Sequence, residues 1–257
     1  MTMTTPGQKE PPASLFALGK AGLPAKFTQN GVDFVMVHPF KHDFFAATGL
    51  YAQSDRPEHL VVLKIHRTTS YYGLPLHWAC RRIARHEAKL NEALQDIRGI
   101  PGYLGMYGTH GFVHEFIPGR PLEGDMKLGP EFFADLYQLF ADLHSRYVAY
   151  VDSNKRENIL MGEDGRPYLI DFQISWHNAK GPRQNFLARW LLKRLQTEDW
   201  YHFYKHKTRL APDLCTPEEM LRGTRQSWYI KLHRAIAQPI IHIRRKFLAR
   251  YKLDRTK

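Results

Sequence analysis

The segment from Val151 to Gln173, VDSNKRENILMGEDGRPYLIDFQ, restricts what this chain can fold into more than any other stretch. Ile159, Leu160 and Met161 form a short apolar run, Gly162-Glu163-Asp164-Gly165 is a turn cluster, and Tyr168, Leu169 and Ile170 resume the apolar pattern. Two apolar runs split by glycine-bearing turn residues predict a β-hairpin. Its mouth carries Asp152, Asn158 and Asp171. Because the hairpin doubles back, Asn158 on entry and Asp171 on exit are expected side by side. Two oxygen ligands of that kind suit a hard cation such as Mg²⁺, which keeps few protein ligands and completes its shell with phosphate oxygens and water. Asp152 is expected beside the same site with no metal to hold, free to accept a proton. An ordinary polar hairpin with a satisfied Asp at each end fits the same residues.

This arrangement resembles the catalytic segment of the protein-kinase-like superfamily, where an Asp, then an Asn, then Asp-Phe-Gly perform those roles. The matching residues are Asp152, Asn158 and Asp171-Phe172. Three positions depart from the family pattern: Tyr150 replaces the His ahead of the catalytic Asp, one extra residue separates Asp152 from Asn158, and Gln173 replaces the Gly. The resemblance implies that Lys155 is the phosphate-contacting lysine of this loop, displaced by the insertion. It also implies that Asn158 and Asp171 carry Mg²⁺ and that Asp152 is the catalytic base.

The chain ahead of the hairpin holds the remaining parts in order. Asp33 to Val37 alternates as a strand, a second strand is expected near Phe44 to Ala52, and Gln53 to Pro57 reads as a turn. His59 to Ile65 is a β-branched run with Lys64 inside it, which is costly to bury unless paired, and otherwise belongs on an exposed edge. Arg81 to Leu94 has helical composition and spacing with Glu87 at its middle, a position where a solvated charge is the commoner case. The resemblance implies that Lys64 contacts ATP phosphates and that Glu87 holds Lys64. Two short strands are expected around Met106-Tyr107 and Gly111 to His114. Glu115 to Pro121 then reads as a linker, and the resemblance makes Glu115 and Ile117 the backbone contacts for adenine. Pro130 starts a helix whose apolar side is Phe132, Phe133, Leu136, Leu139, Phe140 and Leu143. The turn His38 to Asp43 has no glycine motif, so a close backbone cradle for phosphate is not expected there; Lys41 and His42 are basic residues in that turn, but neither is assigned a phosphate role.

The fold class implied is α+β and bilobal, with a small antiparallel sheet plus one helix in the N-lobe and a mainly helical C-lobe with a short C-terminal extension. The boundaries are a flexible leader at 1–14, the N-lobe at 15–117, the C-lobe at 118–226 and a basic amphipathic tail at 227–257. After Gln173 no Ala-Pro-Glu motif appears, which points to a compact branch near RIO-type kinases and the kinases of the Kdo and heptose sugars in the lipopolysaccharide core. The function implied is ATP- and Mg²⁺-dependent transfer of the γ-phosphate to a hydroxyl, on a lipopolysaccharide core sugar or a protein Ser/Thr. A catalytically weak pseudokinase scaffold and a small-molecule kinase are the alternatives.

Charge bears on the acceptor. Residues 1–180 carry 19 basic and 19 acidic side chains, whereas residues 181–257 carry 18 basic and six acidic ones. The whole net charge of +12 therefore sits after the hairpin, pointing to an acidic or membrane-associated partner. The apolar and basic residues of 227–257 fit a peripheral contact with the inner membrane or packing on the second lobe in equal measure. Nucleic acid is disfavoured because no recognised binding motif accompanies the charge. The polar N-terminus resembles neither a signal peptide nor a span, and two widely separated cysteines suggest neither a disulfide framework nor a zinc site, so a cytoplasmic setting is expected. His202 and His206, with Glu198 and Asp199 nearby, have metal-compatible spacing but lack H-E-x-x-H, and read as a polar helix face.

Overall fold

The computed structural model describes residues 12–71, 76–179, 181–183 and 185–224. The expected tail at 227–257 lies outside the described residues, as do residues 1–11 of the expected leader. The architecture is α+β: a curled antiparallel sheet and, among the described residues, four α-helices. The sheet has six strands in the order β1-β2-β3-β4-β6-β5. These are β1 (Lys26–Gln29), β2 (Val32–His42), β3 (Ala46–Gln53), β4 (Arg56–His66), β5 (Tyr103–Tyr107) and β6 (Gly111–Glu115). Helix α1 (His77–Leu94) crosses between β4 and β5.

The alternation of β4 decides where its lysine points. The last six residues of the strand are all buried, because both of its faces are covered. Val61, Leu63 and Ile65 enter one core with Phe27, Phe34, Tyr51 and Val113. Val62, Lys64 and His66 point the other way, as the period of two requires. Lys64 is thus in an interior strand, paired with Thr48 of β3 and Phe112 of β6, not on an exposed edge.

Ahead of the sheet, Ala13–Leu15 forms a 3₁₀ turn, Leu15 and Ala17 are buried, and the Ser14 carbonyl accepts from Arg67 Nη1 at 3.0 Å. Ordered structure at Ala13 and Ser14 therefore falls inside the expected leader. Strand β2 also runs through Pro39, where a turn was expected, with register shifts at Met36/His38 and Pro39/Lys41. Proline is tolerated because β1 pairs only with Val32 to Val35, so β2 is an edge strand by the time it reaches Pro39.

A second core is built on α2 (Pro130–Ser145), whose Phe132, Phe133, Leu136, Leu139, Phe140 and Leu143 are buried. Full burial of such side chains contributes roughly 1.5–3 kcal/mol each. The hairpin forms as expected, β9 (Ile159–Gly162) against β10 (Pro167–Leu169). Part of the expected linker is a strand, β7 (Gly119–Pro121), paired with β9, so the chain passes from one sheet to the other at residues 116–118. Gly99, at φ +98°, lets the turn after α1 lie against the hairpin, its carbonyl accepting from the Leu169 amide at 2.9 Å. A Cβ there would stand 2.8 Å from both Leu139 and the Pro167 carbonyl. Two residues of β8 (Val148–Ala149) pair with β11 (Trp176–His177), and the chain continues into α3 (Phe186–Leu210) and α4 (Pro217–Thr224). No helix among the described residues is long and apolar enough to cross a membrane, and Cys80 and Cys215 are free thiols.

Candidate active site

On α1 the buried residues are Cys80, Ala84, Glu87, Ala88, Leu90, Asn91 and Leu94, a helical stripe that includes one carboxylate. That stripe faces the Lys64 side of β4. Lys64 Nζ lies 2.7 Å from Glu87 Oε1 and 2.8 Å from Asp171 Oδ1. Glu87 is therefore buried and paired, not solvated. Burial draws the Lys64 ammonium's pKa down, but the Glu87 and Asp171 carboxylates outweigh it and hold the pKa above its ordinary value. Burial pushes the Asp171 carboxyl up, and Lys64, helped by the more distant Lys155 and Lys41, holds it at about 2.

Asp171 and its neighbours are positioned by the second core. Tyr150, Ile159, Leu169 and Phe172 are all fully buried there, so the polar residues beside them have little freedom. The Tyr150 hydroxyl donates to the Ile170 carbonyl, and its ring meets Phe172 edge-on at 5.1 Å. Burial, reinforced by the Asp171 and Asp152 carboxylates, pushes that phenol's pKa far up, keeping it a donor. The Ile170 amide donates to the Asn158 carbonyl at 3.1 Å, which brings Asn158 next to Asp171 as the hairpin predicts. Asn158 Nδ2 donates to Asp152 Oδ2 at 2.9 Å, turning its amide oxygen away from Asp152. Lys155 Nζ meets that same Oδ2 at 2.6 Å. Burial lowers the Lys155 pKa and Asp152 more than restores it, for a net rise. Asp152 Oδ1 carries no hydrogen bond among the described residues, so one oxygen of the carboxylate remains available to a donor.

The structure thus forms two clusters, Lys64–Glu87–Asp171 and Asp152–Lys155–Asn158, neighbours through the Ile170 amide on the Asn158 carbonyl. Glu115 and Ile117 lie where β6 leaves the sheet. The Glu115 amide donates to the Gly102 carbonyl at 2.8 Å, and its own carbonyl accepts from His114 Nδ1 at 2.8 Å. The end of β2 and the turn after it are held by local bonds, while the Lys41 charge still reaches Asp171. His42 Nε2 accepts from the Leu18 amide at 3.1 Å, Lys41 pairs with Asp43 at 2.8 Å, and the Phe44 carbonyl accepts from Arg67 Nε at 2.7 Å.

Two residues that sequence reasoning missed complete the site. His66 Nε2 meets the second Glu87 oxygen at 2.9 Å, so the carboxylate that holds Lys64 is gripped from both ends. Its position two residues after Lys64 on one strand face was the available signal. Asp199 is fully buried and accepts from the Tyr150 amide (2.7 Å), the Val151 amide (2.9 Å), Ser153 Oγ (3.0 Å) and His144 Nε2 (3.1 Å). His202 and His206 are buried too, so this part of α3 is not a polar face; it is the support of the Asp152 loop. Among the described residues no three His, Cys, Asp or Glu side chains gather as a metal site.

His206 Nε2 lies 2.7 Å from the Ser153 carbonyl. Burial lowers its pKa to about 4, against a small opposing effect of that carbonyl. The unfolded chain takes up this proton below about pH 6.5 and the folded chain only near pH 4, so stability falls as pH drops through that window. The expected loss is about 2–3 kcal/mol at ~1.4 kcal/mol per pH unit. Urea unfolding at pH 7 and pH 4.5 should show a smaller loss in His206→Gln than in the unsubstituted chain; equal losses would remove His206 as the cause.

Compared with protein-family models and with curated proteins, the chain matches none.

Proposed function

We propose that this chain is a kinase-like phosphotransferase that moves the γ-phosphate of ATP, with Mg²⁺, to a hydroxyl acceptor. The observation that carries the reading is the Lys64 ammonium held between Glu87 at 2.7 Å and Asp171 at 2.8 Å, beside the Asp152–Asn158 pair. A buried lysine fixed in this way presents a positive charge at one place, which is what positioning a polyphosphate requires.

The donor set fits magnesium: the Asn158 amide oxygen and the Asp171 carboxylate are hard oxygens, and Mg²⁺ takes few protein ligands. Bound there, the ion supplies neutralisation of the phosphate oxygens. Lys64 holds the α- and β-phosphates, and Glu87, steadied by His66, holds Lys64. Ile117 offers its backbone groups to adenine; the expected Glu115 contact is disfavoured, because its amide is taken by the Gly102 carbonyl and its carbonyl by His114 Nδ1. Asp152 orients the acceptor hydroxyl through its open oxygen. As that hydroxyl oxygen bonds to the γ-phosphorus, the bond to the β-phosphate oxygen breaks, ADP leaves, and the hydroxyl proton passes to Asp152. Lys155, whose ammonium meets Asp152 Oδ2 at 2.6 Å, would contact the transferring phosphoryl group. The favoured acceptor is the sugar hydroxyl of an acidic lipopolysaccharide precursor, in keeping with the basic C-terminal third; a protein Ser/Thr is the second.

A nucleotide-binding scaffold is the other reading, favoured by the glycine-free turn after β2 and its bonds to Leu18 and Arg67. Labelled ATP offered with lipopolysaccharide, whole-cell protein and small alcohols separates the two. Transfer to one class is expected, and Asp152→Asn should cut it about 10²–10⁴-fold while leaving MgATP binding intact. MgATP binding without transfer to any class would establish the scaffold.

A further inference from the structure

The start of α3 leaves apolar side chains in water that no other part of the described chain covers. Phe186, Leu187 and Trp190 are 82, 67 and 50 % exposed, and Phe186 and Trp190, four residues apart, share a helix face. Asn185 fixes this first turn, its side chain accepting from the Ala188 amide at 2.9 Å. Ile174 and Trp176 are exposed as well. Ser175 between them is buried, its hydroxyl bonded to the Tyr150 carbonyl and its carbonyl accepting from His86 Nε2, so this segment cannot turn its apolar side chains inward. The chain joining the two exposed groups helps line a hollow of about 750 Å³, with Tyr147, His177, Asn178, Gly181 and Arg183 among its walls. The Asn178 amide oxygen is buried without a hydrogen-bond partner among the described residues.

Charge identifies what this surface meets. From Ile174 to Thr197 the sequence has five basic residues (Lys180, Arg183, Arg189, Lys193 and Arg194) and no acidic one. Arg189 and Lys193 are exposed beside the apolar face. The C-terminal segment 225–257 has ten basic residues and one acidic, so it offers this surface no complementary charge. Exposed Trp, Phe and Leu on a stretch basic from 174 to 197 match a lipid interface whose headgroups are negative, the Asp96 carboxylate near the hollow being taken up by Arg146, one of its walls, at 2.6 Å.

We propose that the face formed by Ile174, Trp176, Phe186, Leu187 and Trp190 inserts into the surface of an anionic bilayer, with Arg183, Arg189 and Lys193 on the headgroups and the hollow receiving one of them. Binding needs no phosphoryl transfer, so the proposal stands or falls apart from the catalytic reading.

Sedimentation of the full chain with vesicles tests it. Vesicles of phosphatidylcholine with one-third phosphatidylglycerol should bind at least tenfold more tightly than phosphatidylcholine alone. Phe186→Ser/Leu187→Ser/Trp190→Ser should cost about tenfold or more, and Arg189→Gln/Lys193→Gln should weaken binding and its salt dependence. Both variants change exposed side chains, and circular dichroism checks that they fold. Arg244→Gln/Arg245→Gln/Lys246→Gln in the C-terminal segment should leave most of the binding. Equal binding to both vesicle types, loss confined to the C-terminal variant, or capture by polyglutamate but not by vesicles would overturn the proposal.

Discussion

Asp171→Asn lowers phosphoryl transfer by on the order of 10³-fold or more and leaves the fold in place. Asp171 adopts φ +65°, a left-handed conformation that Asn tolerates as readily as Asp. Its side chain is 30 % exposed, and Lys64 keeps Glu87 as a partner after the charge is lost. Folding therefore changes little. On the proposed function the chemistry changes greatly, because Asp171 is the carboxylate assigned to the cation together with Asn158. Charge stabilisation by a bound metal amounts to several kcal/mol of barrier, and every 1.4 kcal/mol is tenfold in rate. Steady-state transfer of labelled phosphate, with circular dichroism as the folding control, provides the check. A rate within tenfold of the unsubstituted chain would remove Asp171 from the metal site.

The second large effect falls on stability. Asp199→Ala leaves four donors without an acceptor in the interior: two amides, a serine hydroxyl and an imidazole nitrogen. It also releases Val151, a β-branched residue at φ +69°, whose strained conformation the Asp199 carboxylate holds through the amide. Breaking a buried charged network from one side costs about 3–5 kcal/mol. Because Asp152 comes directly after Val151, activity is lost with the loop. Asp199→Asn keeps the volume and one accepting oxygen, so an intermediate loss is expected. Urea denaturation measures both, and a loss under about 1 kcal/mol for the alanine variant would show that the network carries no such weight.

Much of the site was legible because its residues are odd for their surroundings. A lysine inside a β-branched run and carboxylates at a hairpin mouth each demand a partner, and their order along the chain names one. The hairpin itself could be read from turn chemistry between two apolar runs. What escaped was support from residues that look ordinary where they stand. Asp199 lies in a helix crowded with polar and aromatic side chains, where no local pattern distinguishes the inward face from the outward one. His66 was hidden because histidine at the end of a strand is as often exposed as buried. Strand β7 was masked by Gly119 and Pro121, which read as a linker until β9 provides the pairing. Strand β1 is four residues long and carries no alternation strong enough to declare itself.

The proposal that these side chains form one nucleotide site is tested most directly by isothermal titration of MgATP into the full chain, Lys64→Met and Glu87→Gln. One molecule of MgATP per chain is expected, weakened at least tenfold without Mg²⁺ and in Glu87→Gln, and lost in Lys64→Met. Binding that is absent from the unsubstituted chain, or that is equal in all three proteins, would contradict the account.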